Sequence, residues 1–86
     1  MNNEKLNNEE QSNSDKLDFY YQEKMLVHLV LKREISPGIN VFLNGYVIKK
    51  LTDRVWLFND RRIGEVRVSI SEIQPYGVNE FKEEGR

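Results

Sequence analysis

Residues 39 to 58 read INVFLNGYVIKKLTDRVWLF. Apolar and polar side chains alternate along the first half, one glycine sits in mid-run at position 45, and Thr52-Asp53-Arg54 separates it from a second apolar run, Val55-Trp56-Leu57-Phe58. A two-residue period of that length marks β-structure, because successive side chains of a strand point to opposite faces. The pattern puts Ile39, Val41, Leu43 and Val47 on one side and Phe42, Tyr46 and Ile48 on the other, with the alternation slipping near Gly45. A slip at a glycine predicts a bulge or corner, and Asp53-Arg54 predicts a tight turn into the next strand. Together they predict a sharply curved strand pair at the centre of a small β-barrel.

Downstream, Asn59-Asp60-Arg61-Arg62-Ile63-Gly64 reads as a loop, and Glu65 to Ser71 alternates again with Val66, Val68 and Ile70 inward and Arg67 and Ser69 outward. Ser71-Glu72-Ile73 leaves room for one helical turn before Gln74-Pro75-Tyr76, a short last strand whose proline suits an edge. Upstream, the Pro37-Gly38 pair predicts a turn, and Met25 to Lys32, rich in Leu and Val, predicts a strand buried on both faces. Before it, Ser14 is placed to cap a helix of at most three turns over DKLDFYYQEK, with Leu17, Tyr20 and Tyr21 on one face. Trp56 and Phe58 share one face of their strand, and Phe19, Tyr20 and Tyr21, or a neighbouring subunit, are available to cover what the barrel interior does not. The expected fold is mainly β: a five-stranded, strongly bent antiparallel barrel with one short N-terminal helix, over residues 15–77.

The flanks read differently. Among the first 14 residues only Met1 and Leu6 are apolar, too little buried surface to offset conformational entropy, so residues 1–14 are expected to form a disordered acidic leader and residues 78–86 a flexible tail. The remaining core of about 60 residues is of a size that buries only about 60% of its chain surface, which makes self-association an obvious remedy. The net charge of −1 hides an asymmetry. Residues 1–23 carry two basic and six acidic side chains, a net of −4, whereas residues 24–78 carry nine basic and five acidic ones, a net of +4. Such a basic body can attract polyanions, and an acidic leader can screen it.

The chain has no cysteine, which rules out disulfides and thiolate metal sites in it and fits a reducing, cytoplasmic setting. No basic-then-apolar signal pattern opens it, and no apolar run approaches the ~18 residues of a membrane span. No membrane partner is expected. His28 stands alone between Val27 and Leu29 with no second ligand for zinc, and reads as a hydrogen-bonded structural histidine. No nucleophile elbow, phosphate-binding glycine loop or carboxylate pair is evident, so neither catalysis nor a cofactor is expected.

The order of elements over residues 15 to 76 resembles the Sm-like barrels, and among them the Hfq family of bacterial RNA chaperones. Gly45 looks like the second-strand glycine, Asp53 like the aspartate of the following turn, and Val68-Ser69-Ile70-Ser71-Glu72-Ile73-Gln74-Pro75 is similar to the segment that ends an Hfq barrel. The resemblance implies a ring of subunits joined edge to edge through fourth and fifth strands, with single-stranded RNA on the ring faces. Where Hfq carries a Tyr-Lys-His triplet for uridine, this chain has Val66-Arg67-Val68, which keeps only the cation. The Gly45-to-Asp53 interval and the loop between the first two strands are longer than in that family, and Arg54 or Val55 stands where it has a base-stacking aromatic.

Independently of the resemblance, Arg61, Arg62, Arg67, Lys49 and Lys50 form the strongest candidate set for phosphate contact, because guanidinium groups pair bidentately with phosphate oxygens. Tyr46 is the candidate base-stacking ring. The expected function is non-catalytic binding of single-stranded RNA by a homo-oligomer, as a chaperone or post-transcriptional regulator. The alternative is a protein-interaction module or adaptor subunit that uses a barrel edge or aromatic surface to hold a protein partner.

Overall fold

The structure, a computed structural model, describes residues 5–82. One helix, α1 (Asn8–Glu23), precedes five strands, β1 (Val27–Ser36), β2 (Ile39–Thr52), β3 (Val55–Asp60), β4 (Gly64–Ser69) and β5 (Ile73–Glu80), with a single 3-10 turn at Ile70–Glu72. The strands make one antiparallel sheet in the order β4-β3-β2-β1-β5. The fold is therefore mainly β with an N-terminal helix.

The sheet is not closed. β4 and β5 are its two edges and do not pair with each other, contrary to the barrel expected from the bent strand pair. Closure is not what covers the core. α1 lies against β5, β2 and the 3-10 turn, and its Leu17 is buried with Trp56, Phe58, Val68 and Ile70. Burying a leucine of this kind contributes about 1.5–3 kcal/mol, enough to hold a helix that would not persist alone. Tyr20 also packs on the core, whereas Phe19 and Tyr21, available in sequence to cover the strand face left outside a barrel interior, face solvent.

The alternation in β2 runs through Gly45 without a slip: Leu43, Gly45 and Val47 all face the core. The irregularity comes later. Val47 pairs with Phe58 but Lys49 with Leu57, so the bulge lies around Ile48, and a second shift follows between Lys50 and Thr52. Gly45 is required for a different reason, close approach. A Cβ there would lie 1.8 Å from the carbonyl oxygen of Asn59, so the neighbouring strand leaves no room for a side chain. The turns fall where the sequence places them, at Pro37-Gly38 and at Asp53-Arg54. β1 is fully buried on one face only, through Val27, Leu29 and Leu31.

Two flanking expectations are corrected. The helix starts at Asn8 rather than after Ser14, because Asn7 and Glu10 form a reciprocal capping box, each side chain meeting the other's backbone N–H at 2.8 and 3.2 Å. Residues 8–14 are thus helical, Ser14 lies buried inside the helix, and Leu6 packs on the core. What sequence polarity disguises is a polar anchor: buried Asn13 donates through Nδ2 to the carbonyl of Gln74 at 3.1 Å. At the other end, residues 78–80 belong to β5, and Val78 is fully buried opposite Leu29. The leader and tail expectations for residues 1–4 and 83–86 fall outside the described residues. Among the described residues no helix is long and apolar enough to cross a membrane.

Candidate nucleic-acid interface

The turn from β3 to β4 is organised by a buried carboxylate. Asp60, the last residue of β3, continues the inward phase of Trp56 and Phe58, so its side chain enters the protein rather than water. One oxygen, Oδ1, accepts from the backbone N–H of Asn44 at 2.9 Å. The other, Oδ2, accepts from the N–H groups of Arg62 at 2.8 Å and Ile63 at 3.1 Å, and the Arg62 Nε lies 3.9 Å away. Burial by itself pushes this carboxyl up, but the three backbone donors and the Arg62 charge outweigh it and hold the pKa below the ordinary 3.8. Asp60 therefore stays ionised and fixes the direction in which Arg61 and Arg62 leave the sheet.

Both arginines leave toward aromatic rings on the outer face, Arg62 toward Phe42 of β2 and Arg61 toward Phe81, just past β5. Register puts His28 opposite Asn44 and Val30 opposite Phe42, all on the face turned away from the core. His28 lies between two phenylalanines, its ring centroid 5.4 Å from that of Phe42 and 6.2 Å from that of Phe81. The Arg62 guanidinium sits 5.4 Å from the centre of the Phe42 ring and donates through Nη2 to the Phe42 carbonyl at 3.3 Å. The Arg61 guanidinium sits 5.6 Å from the centre of the Phe81 ring, with its backbone N–H on the carbonyl of Asn44 at 2.8 Å. Cations stacked on ring faces keep their in-plane N–H donors pointing outward. Two guanidiniums thus flank a row of three rings. Arg62 is 66% exposed at its side chain, and Phe42 37% exposed, so both remain reachable from solvent.

His28 is held as expected of a structural histidine, with Nδ1 2.6 Å from Asn44 Oδ1, but its ring is also the middle member of this row. Phe42 and Phe81 were not among the candidates read from sequence. The alternation of β2 already placed Phe42 on the face away from Leu43, so that signal existed; Phe81 lies in a segment whose polarity hid it.

The other candidates divide between the faces. Tyr46 is opposite Asn59 on the outer face and 47% exposed. Lys49 and Arg67 both pair with Leu57, from either side, which puts them in one row of that same face. Neither makes an ion pair among the described residues. From Phe42 to Lys49 the outer face follows roughly 23 Å of β2 at about 3.3 Å per residue. Lys50, shifted by the bulge, pairs with Trp56 instead and lies on the opposite face, its Nζ 5.3 Å from the centre of the Trp56 ring. Arg54 is withdrawn altogether, its guanidinium bonded to the Glu10 carboxylate of α1 at 3.3 Å. A second basic pair, Lys32 and Arg33, lines a cleft of about 370 Å³ with Leu31, Ser71 and Glu72, where the acid offsets one of the two cations.

Compared with known proteins, the chain matches no family model, no curated protein and no solved structure.

Proposed function

We propose that this protein binds single-stranded RNA without catalysis, using the outer face of β1 and β2, and that it acts as an RNA chaperone or post-transcriptional regulator of the kind the Sm-like resemblance implies. The observation that carries the reading is the pair Arg61 and Arg62, each stacked on a phenylalanine with His28 between them. Single strands are held by the combination of cations that meet phosphates and exposed rings on which bases stack at ~1–3 kcal/mol each. Arg61 and Arg62 would take phosphates, Phe42 and Phe81 bases, and Tyr46 a further base. Lys49 and Arg67 would extend the cationic track along β2. Lys50 is the least suited of the original candidates, since it belongs to the other face.

Two phosphates neutralised would give a slope of about −1.4 in log K against log salt, hence about a sevenfold loss between ~50 and ~200 mM salt. Filter binding to single-stranded RNA across that series tests the reading; no retention at the low end removes it. The Arg61→Glu/Arg62→Glu double variant is expected to abolish retention, and Phe42→Ala to weaken it roughly tenfold. An RNA-independent protein partner captured equally by wild type and double variant would favour the interaction-module alternative.

A further inference from the structure

The two open edges of the sheet are not equivalent. β5 pairs with β1 through Ile73 at one end and Val78 to Glu80 at the other, and the register breaks between them. Within the break Pro75 has no N–H to offer, and Tyr76, 68% exposed, adopts a left-handed φ of 61°. Gly77 is pinned there, because a Cβ would lie 2.7 Å from the Val30 carbonyl oxygen. Bulges and prolines of this sort interrupt the row of donors and acceptors that another strand would need. α1 also lies along β5.

β4 has none of these devices. Its pairing with β3 is unbroken from Gly64 opposite Asp60 to Ser69 opposite Val55, with no proline, bulge or inward charge. Its two charges, Glu65 and Arg67, are both exposed on the outer face, while Val66 is a half-buried valine on the core face. The ring implied by the Sm-like resemblance needs β5 to receive β4 of the next copy, and β5 is the interrupted edge.

We infer that the β4 edge pairs with the β4 edge of a second copy of this chain, antiparallel and about a two-fold axis, to make one continuous ten-stranded sheet. A two-fold interface is self-complementary, so each residue meets its partner twice. For both core faces to lie on the same side, residues opposite one another must be an even number apart in the strand, since side chains alternate. Three central registers meet that condition. One sets Glu65 against Glu65 and another sets Arg67 against Arg67, both like-charge contacts across the ladder. The third sets Val66 against Val66 and gives two Glu65–Arg67 pairs, with Gly64 opposite Val68. The charge order of β4 therefore selects one register and one partner, a copy of itself. The pairing takes up Arg67, the far member of the cationic track, and leaves Arg61 and Arg62 to the RNA.

Light scattering coupled to gel filtration on the full chain is expected to give twice the 10.2 kDa chain mass at the highest soluble concentration. Arg67→Glu alone, or Glu65→Arg alone, puts like charges opposite each other and is expected to give the monomer. The double swap Glu65→Arg/Arg67→Glu restores both pairs and is expected to recover the dimer, which separates loss of pairing from loss of folding. Because the chain has no cysteine, Val66→Cys supplies one thiol that meets its own copy only across the two-fold axis. A short thiol cross-linker should join two such chains, whereas a head-to-tail ring would set that thiol against β5. A wild-type mass of one chain or of more than two, a double swap that stays monomeric, or an uncross-linked Val66→Cys would each overturn the inference.

Discussion

At the scale of single residues, Asp60 determines where the candidate site points. Its two oxygens receive three backbone N–H groups, so it acts as a local template for the turn that launches Arg61 and Arg62. Replacing it by asparagine keeps the shape but turns an acceptor into an NH₂ group facing backbone donors. Asp60→Asn is expected to cost ~1–3 kcal/mol in urea unfolding and to weaken RNA retention although Asp60 touches no ligand. Its pKa is depressed in the folded state, so the stability it contributes is fully present above the unfolded value and lost as pH falls through the folded one. The Asp60 contribution is therefore constant from neutrality down to about 4 and is lost below, so Asp60→Asn is expected to show a shallower acid limb than wild type. An unchanged acid limb in the variant would remove Asp60 from that role.

At the scale of elements, α1 is held by contacts of different kinds, among them the Asn13 bond to the Gln74 carbonyl. The Asn7–Glu10 box starts it, Leu17 buries in the sheet core, and Glu10 reaches Arg54 in the turn between β2 and β3. The end is closed by Lys24, a non-glycine residue at φ 54°, with its own N–H on Tyr21 and that of Met25 on Tyr20. Leu17→Ala is expected to cost ~2–5 kcal/mol and Asn7→Ala ~1 kcal/mol, readable as losses in thermal midpoint. If Asn7→Ala left the midpoint unmoved, the helix would not depend on its capping box. Removing residues 1–14 takes away the cap, Asn13 and half the helix together, so such a truncation reports on folding rather than on electrostatic screening. In β2, Gly45→Ala places a methyl within the Asn59 carbonyl and is expected to prevent the native pairing of β2 with β3.

At the scale of the whole molecule, five strands give a sheet with two free edges and a basic, aromatic outer face, and charge is distributed unevenly over them. α1 carries Glu9, Glu10, Asp15, Asp18 and Glu23, while the cations cluster on the sheet and its turns. RNA affinity should accordingly fall with salt, whereas pairing at β4, which rests on backbone hydrogen bonds and two close charge pairs, should respond far less. Measuring both in one salt series separates them, and parallel loss would mean that RNA binding depends on the pair. The sequence by itself determined the strand content, the turns at Pro37-Gly38 and Asp53-Arg54, and the shared face of Trp56 and Phe58. These follow from period-two patterning and φ preferences, which are local. Only the tertiary structure decided that the sheet stays open, that polar Asn13 and Ser14 are buried, and that Arg61 and Arg62 meet rings from β2 and from residue 81. Those outcomes turn on register, on a bulge displaced from the glycine, and on hydrogen bonds between residues as far apart as Asn13 and Gln74, and no short window of sequence contains both partners of such a contact.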